Sequence, residues 1–174
     1  DAQKFFNQGV GQLHGFWYFE AERSFRQVAM LDPDCAMAYW GCAMANVNNA
    51  KRAAGFIKKA AARKAPASKR EQGWIGALEA FYADEKKEKK TRQMDFIKAI
   101  EDIISDFPDD LDAKAFLAWA IWRAKEDSVP MVSREAVDAL IRQIFAREPM
   151  HPAHHYLIHL WDDSKPIRAV ASAA

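Results

Sequence analysis

The chain has 174 residues, half of them apolar, and a formal net charge of +1. That length supports one substantial core, and the near-zero charge gives no global field toward nucleic acid or a membrane surface. No apolar run reaches the roughly 18 residues of a membrane span, so no transmembrane helix is expected, and the opening DAQKFFNQGV lacks the basic-then-apolar layout of a signal peptide.

Along the chain, apolar residues recur at helical spacing almost throughout. Glycine is sparse, and no Asn-Gly or Asp-Gly turn separates alternating runs. The class is therefore all-α. The pattern predicts five helical hairpins, the last incomplete: helices over 3–16 with 18–32, 35–47 with 49–64, 68–83 with 91–107, 110–125 with 133–147, and 152–163 with a partial helix near 165. Phe96, Ile100 and Ile103 mark the buried stripe of the sixth segment, and Val137, Leu140, Ile141 and Ile144 that of the eighth. Ser68 with Glu71 forms a capping box, Ser133 is an N-cap, and Pro33, Pro108 and Pro149 each end an apolar helical run. Cys35 and Cys42 are seven residues apart. On one helix that is roughly 10 Å along the axis, beyond the reach of a disulfide, which needs Cα atoms within about 7 Å. Two free thiols acting as small fillers are expected.

An internal period underlies the helices. Phe6, Trp40 and Trp74 are spaced by 34 residues, and so are Gly9, Ala43 and Ala77. A large aromatic and a small residue keep one phase through three copies. A helical hairpin cannot bury its apolar face alone; the small residue lets its two helices approach, and the next hairpin buries the rest.

These residues give the chain its likeness. It resembles a tetratricopeptide (TPR) repeat protein, with Gly9, Ala21, Phe25 and Pro33 on the small, Ala, aromatic and Pro positions of the first repeat and EAERSFRQVAMLDPD as the best single match. The second repeat keeps Tyr39 and Ala43 but has Gly55 and Lys59 where Ala and an aromatic belong, and later spacing stretches at Asp84–Thr91 and Lys125–Val132. The resemblance implies a single domain over 1–174, a right-handed α-solenoid of TPR-like hairpins. The unfinished end, KPIRAVASAA, without a polar cap, reads as a fragment of a longer protein. By resemblance the A-helix aromatics Phe6, Trp40 and Trp74, with Trp119 and Trp122 on a fourth A helix, line a concave groove for a protein or peptide partner; the alternative is that they fill the contact between successive hairpins.

The most distinctive segment is MHPAHHYLIH, residues 150–159, which holds four of the five histidines. With Pro152 as first helical residue, His151 sits near the N-cap, and His155 and His159 share a face at i, i+4. Imidazoles one turn apart suit Zn²⁺ or Cu²⁺. The segment resembles an H-P-x-x-H-Y-x-I-H motif of some bacterial TPR proteins, which singles out His151, His155 and His159. It is not H-E-x-x-H, since Tyr156 follows His155. The competing reading is that these histidines pack and hydrogen-bond between helices.

Between Asp34 and Glu71 no acidic residue occurs, while Lys51, Lys58, Lys59 and Arg63 share one face of the fourth segment. That is an ordinary cationic solvent face or a patch for an acidic partner. There is no phosphate-binding Gly-rich loop, no G-x-S-x-G and no C-x-x-C. The expected function is thus non-catalytic binding of a protein or peptide, without nucleic acid or membrane insertion. The alternative is a Zn- or Cu-binding domain of a larger redox or metal-handling protein.

Overall fold

The computed structural model describes residues 1–173, and all regular structure among them is helical. The helices are α1 (Ala2–His14), α2 (Tyr18–Leu31), α3 (Ala36–Met44), α4 (Ala50–Ala61), α5 (Lys69–Ala83), α6 (Lys89–Asp106), α7 (Leu111–Arg123), α8 (Arg134–Arg147), α9 (His154–Trp161) and α10 (Val170–Ala173). Short 3₁₀ turns lie at Ala124–Asp127 and Pro166–Ala169. Each predicted helix is present with its ends moved by a few residues. No described helix is long and apolar enough to cross a membrane.

The chain forms two compact units, the first Asp1–Lys87 and the second from Glu88 onward. In the first, α1 packs on α2 and α3, α3 on α2, α4 and α5, and α4 on α5. Phe25 of α2 is fully buried and is the wedge of this unit. Gly9 of α1 faces its ring so closely that a Cβ there would lie 2.8 Å from Cζ, and Gly41 of α3 abuts the same ring more tightly still. Phe6 meets Phe25 edge-on, with centroids 5.5 Å apart. The small-against-aromatic pairing seen in the sequence therefore brings together three helices, not two. In the second hairpin the wedge is missing. Lys59 is exposed, and α4 packs through Ala53, Ile57 and Ala60.

In the second unit α6 packs on α7, α7 on α8 and α9, and α8 on α9. Phe96, Ile100 and Ile103 of α6 and Val137, Ile141 and Ile144 of α8 are buried as their spacing requires, with Leu140 at the half-buried margin.

One turn recurs three times. Asp32, Phe107 and Glu148 each precede a proline, leave helical geometry (φ −140°, −131° and −135°) and donate their N–H to the carbonyl four residues back at 2.8 Å. The proline ring excludes the α region for the residue before it. The chain then closes a turn onto the carbonyls of Asp32, Phe107 and Glu148 from the N–H groups of Cys35, Asp110 and His151. Cys35, Asp110 and His151 thus hold equivalent places before α3, α7 and α9. The Ser68–Glu71 capping box and the Ser133 cap form as expected, and Asn49 and Asp110 cap α4 and α7.

The basic stretch finds acids that its own segment lacks. Glu22 of α2 accepts from Arg26 Nε (2.6 Å), Asn46 Nδ2 (2.7 Å) and the Arg52 guanidinium, and Lys64 lies 3.7 Å from Glu79. Burial pushes the Glu22 carboxyl up, but its bonds to Arg52, Asn46 and Arg26 outweigh that and hold it below the ordinary glutamate value of 4.5. A depressed folded-state value gives stability that is whole above about pH 4.5 and is lost as pH falls through the folded value. Glu22→Gln is expected to lose about 1 kcal/mol near pH 7, reduced by screening of the half-exposed arginines. Urea unfolding of the two proteins across the acid range is expected to converge once pH has fallen through the folded-state value of Glu22, which lies below 4.5. A gap that persists there contradicts the assignment.

Cys35 and Cys42 are free, as expected. Burial raises both thiols, Cys42 to about 12, which leaves them protonated and inert at neutral pH.

Candidate functional site

The aromatic positions divide by accessibility. In the first unit Trp40 and Trp74 are each 2 % exposed and pack edge-on against one another, with centroids 5.6 Å apart. They join α3 to α5, and Phe6 on α1 is half-buried. In the second unit Trp119 is buried against Phe116 and under the Arg123 guanidinium, while Trp122 is half-buried beneath Lys125. Of the five groove residues proposed from sequence, Phe6 and Trp122 present ring surface; Trp40, Trp74 and Trp119 are packing residues between helices.

The histidine segment also divides. Helix α9 starts at His154, two residues later than the sequence spacing places it, because His151 folds back first. Its Nδ1 accepts the N–H of Ala153 at 3.0 Å, which holds residues 152–153 in a turn. His151 is 4 % exposed, and its Nε2 lies 3.5 Å from Asp112 of α7. It therefore fixes the turn that leads into α9, whose own N-cap, Ala153, has no side-chain cap bond, and it does not extend the stripe of His155 and His159. His154 stacks flat on Phe145 of α8 at 3.8 Å; its Nε2 donates to the carbonyl of Pro149 (2.7 Å), and its Nδ1 lies within hydrogen-bond distance of the Ser172 hydroxyl (2.9 Å).

His155 and His159 do meet. Their Nε2 atoms are 3.0 Å apart on one face of α9. On the far side of the His159 ring, Nδ1 lies 2.9 Å from an Asp162 carboxylate oxygen. A carboxylate only accepts, so Nδ1 carries a proton, and in the neutral ring Nε2 of His159 presents its lone pair toward His155. The Trp122 ring flanks His159, with centroids 5.4 Å apart. Asp163 turns the other way: it pairs with Arg134 of α8 at 2.7 Å, and that bond holds its carboxyl below the ordinary aspartate range. Asp162 lies outside the histidine motif, and its i, i+3 relation to His159 is the sequence signal that places it there.

The site thus contains two imidazole nitrogens that converge, one carboxylate that orients the second ring, and an aromatic wall. His159 is one-third exposed and Asp162 about half, so the pair opens to solvent. No family model matches the chain, and no curated protein or solved structure matches it either.

Proposed function

We propose that this chain is a TPR-type helical-repeat scaffold that binds a protein or peptide segment, its hairpins forming the turns of a right-handed α-solenoid. The observation that carries the reading is a repeated packing rule. In each unit a helix that opens a hairpin touches the next such helix: α1 on α3, α3 on α5, α7 on α9. The 34-residue phase places Phe6, Trp40 and Trp74 on the first three of these helices. Within each unit, repeats that bury their faces on neighbours present a shared stacking surface on which a partner segment can lie. Because fold does not fix function, the binding step rests on that likeness.

Affinity comes from surface the packing leaves open. Each unit supplies its own half-buried aromatic anchor, Phe6 in the first and Trp122 in the second, of the kind that contributes much contact area with few rotors. The exposed Lys51, Lys58 and Lys59 set orientation and encounter rate for an acidic segment. Trp40 and Trp74 hold α3 and α5 together within the first unit.

The test is selection of a displayed random-peptide library on the whole chain. Enrichment of a peptide class is expected, with Trp122→Ala weakening the selected peptide about tenfold or more, the loss of more than about 1 kcal/mol typical of an anchoring residue. Lys58→Glu with Lys59→Glu is expected to slow association with little effect on dissociation. If no peptide is enriched, or if the enriched peptides are indifferent to both changes, the reading fails.

A further inference from the structure

The geometry points to a Cu²⁺ site on α9 formed by His155 and His159, with Asp162 as its positioning carboxylate. Three observations support it. First, the two Nε2 atoms already converge at 3.0 Å. Imidazole–metal bonds of about 2.0–2.1 Å spanning that gap subtend roughly 94° at the ion. That is the cis angle of a square-planar or tetragonal centre, the geometry Cu²⁺ prefers; a tetrahedral Zn²⁺ needs the nitrogens some tenths of an ångström further apart. Affinity for such nitrogen donors also peaks at Cu²⁺ among the divalent ions.

Second, the His159 tautomer is fixed in advance. In the neutral ring the 2.9 Å bond from Nδ1 to Asp162 places the proton on Nδ1 and leaves the lone pair on Nε2. A carboxylate behind a ligating imidazole raises its basicity and sets its ring plane. Third, the pair is accessible, since His159 and Asp162 are only partly covered. The ion takes the place of the proton between the two nitrogens. Its remaining positions are taken by water or by donors of a bound partner, so the site is suited to reversible loading.

The set differs from the one the sequence spacing suggests. His151 is outside it, because its Nδ1 is committed to the Ala153 N–H and its Nε2 faces Asp112. His154 is outside it too, held between Phe145, Pro149 and Ser172.

The experiment is calorimetric titration of the metal-stripped full chain with Cu²⁺ and with Zn²⁺ in a non-chelating buffer, paired with electron paramagnetic resonance of the copper form. One equivalent of Cu²⁺ is expected, bound more tightly than Zn²⁺, with a tetragonal signal carrying hyperfine structure from two imidazole nitrogens. His155→Ala with His159→Ala removes both binding and signal. Asp162→Asn keeps the helix and both ligands and weakens Cu²⁺ by about 10–100-fold. His151→Asn, whose side-chain oxygen can still accept the Ala153 N–H, leaves binding unchanged. Circular dichroism of each variant shows that the helices persist. Absence of one-to-one uptake overturns the site. So does uptake that survives the double substitution, or uptake that is lost in His151→Asn but kept in the double variant.

Discussion

Gly41→Ala is expected to destabilise the first unit by about 2 kcal/mol, although alanine is the better helix former. The position lies within α3, where replacing glycine by alanine ordinarily gains about 1 kcal/mol. Here the added methyl falls inside the van der Waals envelope of the fully buried Phe25 ring. A rigid aromatic between two helices has no free end to swing aside, so α3 must part from α2. Overpacking of this kind costs roughly 1–3 kcal/mol and sometimes more, and at a contact this close the upper end applies. Phe25→Leu costs about 1–1.5 kcal/mol by itself. Joined to Gly41→Ala it is expected to recover at least about 1 kcal/mol relative to the sum, since residues sharing one contact couple by about 0.5–3 kcal/mol. Urea unfolding of the four proteins gives the cycle. If the two changes add, Phe25 is not the wedge against α3.

The second large effect lies between α8 and α9. Asp138 is buried, accepts the Trp161 indole N–H at 2.7 Å and pairs with Arg142. Trp161 is itself 1 % exposed. Asp138→Ala leaves a buried donor without its acceptor and is expected to cost about 2–4 kcal/mol. Asp138→Asn keeps an acceptor for the indole and is expected to cost about half as much. Removing both partners, as in Asp138→Leu with Trp161→Phe, is expected to be milder than Asp138→Ala alone, because no polar group is then stranded. Equal losses for Asp138→Ala and Asp138→Asn contradict this account.

What the sequence conveyed depended on distance along the chain. Helices were legible because their apolar stripes repeat every three to four residues, as in Val137, Ile141 and Ile144. Pro33, Pro108 and Pro149 marked turns correctly because a proline acts on the residue beside it. The Ser68–Glu71 box was legible for the same reason. Gly41 was not: its need for a missing side chain is set by Phe25, on another helix. Nor were Glu22 with Arg52 or Asp138 with Trp161, pairs that only the packing of separate helices brings together.

Local chemistry also misled in places. His151 has the spacing to join the histidine stripe, yet its ring turns to the Ala153 N–H in the turn before α9. In the histidine segment the i, i+4 pair could be read from sequence, but the carboxylate behind it and the exclusion of His151 could not. Among the aromatics, a shared phase identified equivalent positions without separating buried wedges from accessible anchors.

The most direct measurement of the scaffold reading is amide hydrogen exchange of the whole chain with and without a peptide selected on it. The account predicts added protection along the helices that open hairpins: α1, α3 and α5 in the first unit and α7 in the second, with α2, α4, α6 and α8 little changed. Protection concentrated on α2, α4, α6 and α8, or none at a saturating peptide concentration, would contradict a binding surface formed by the repeats.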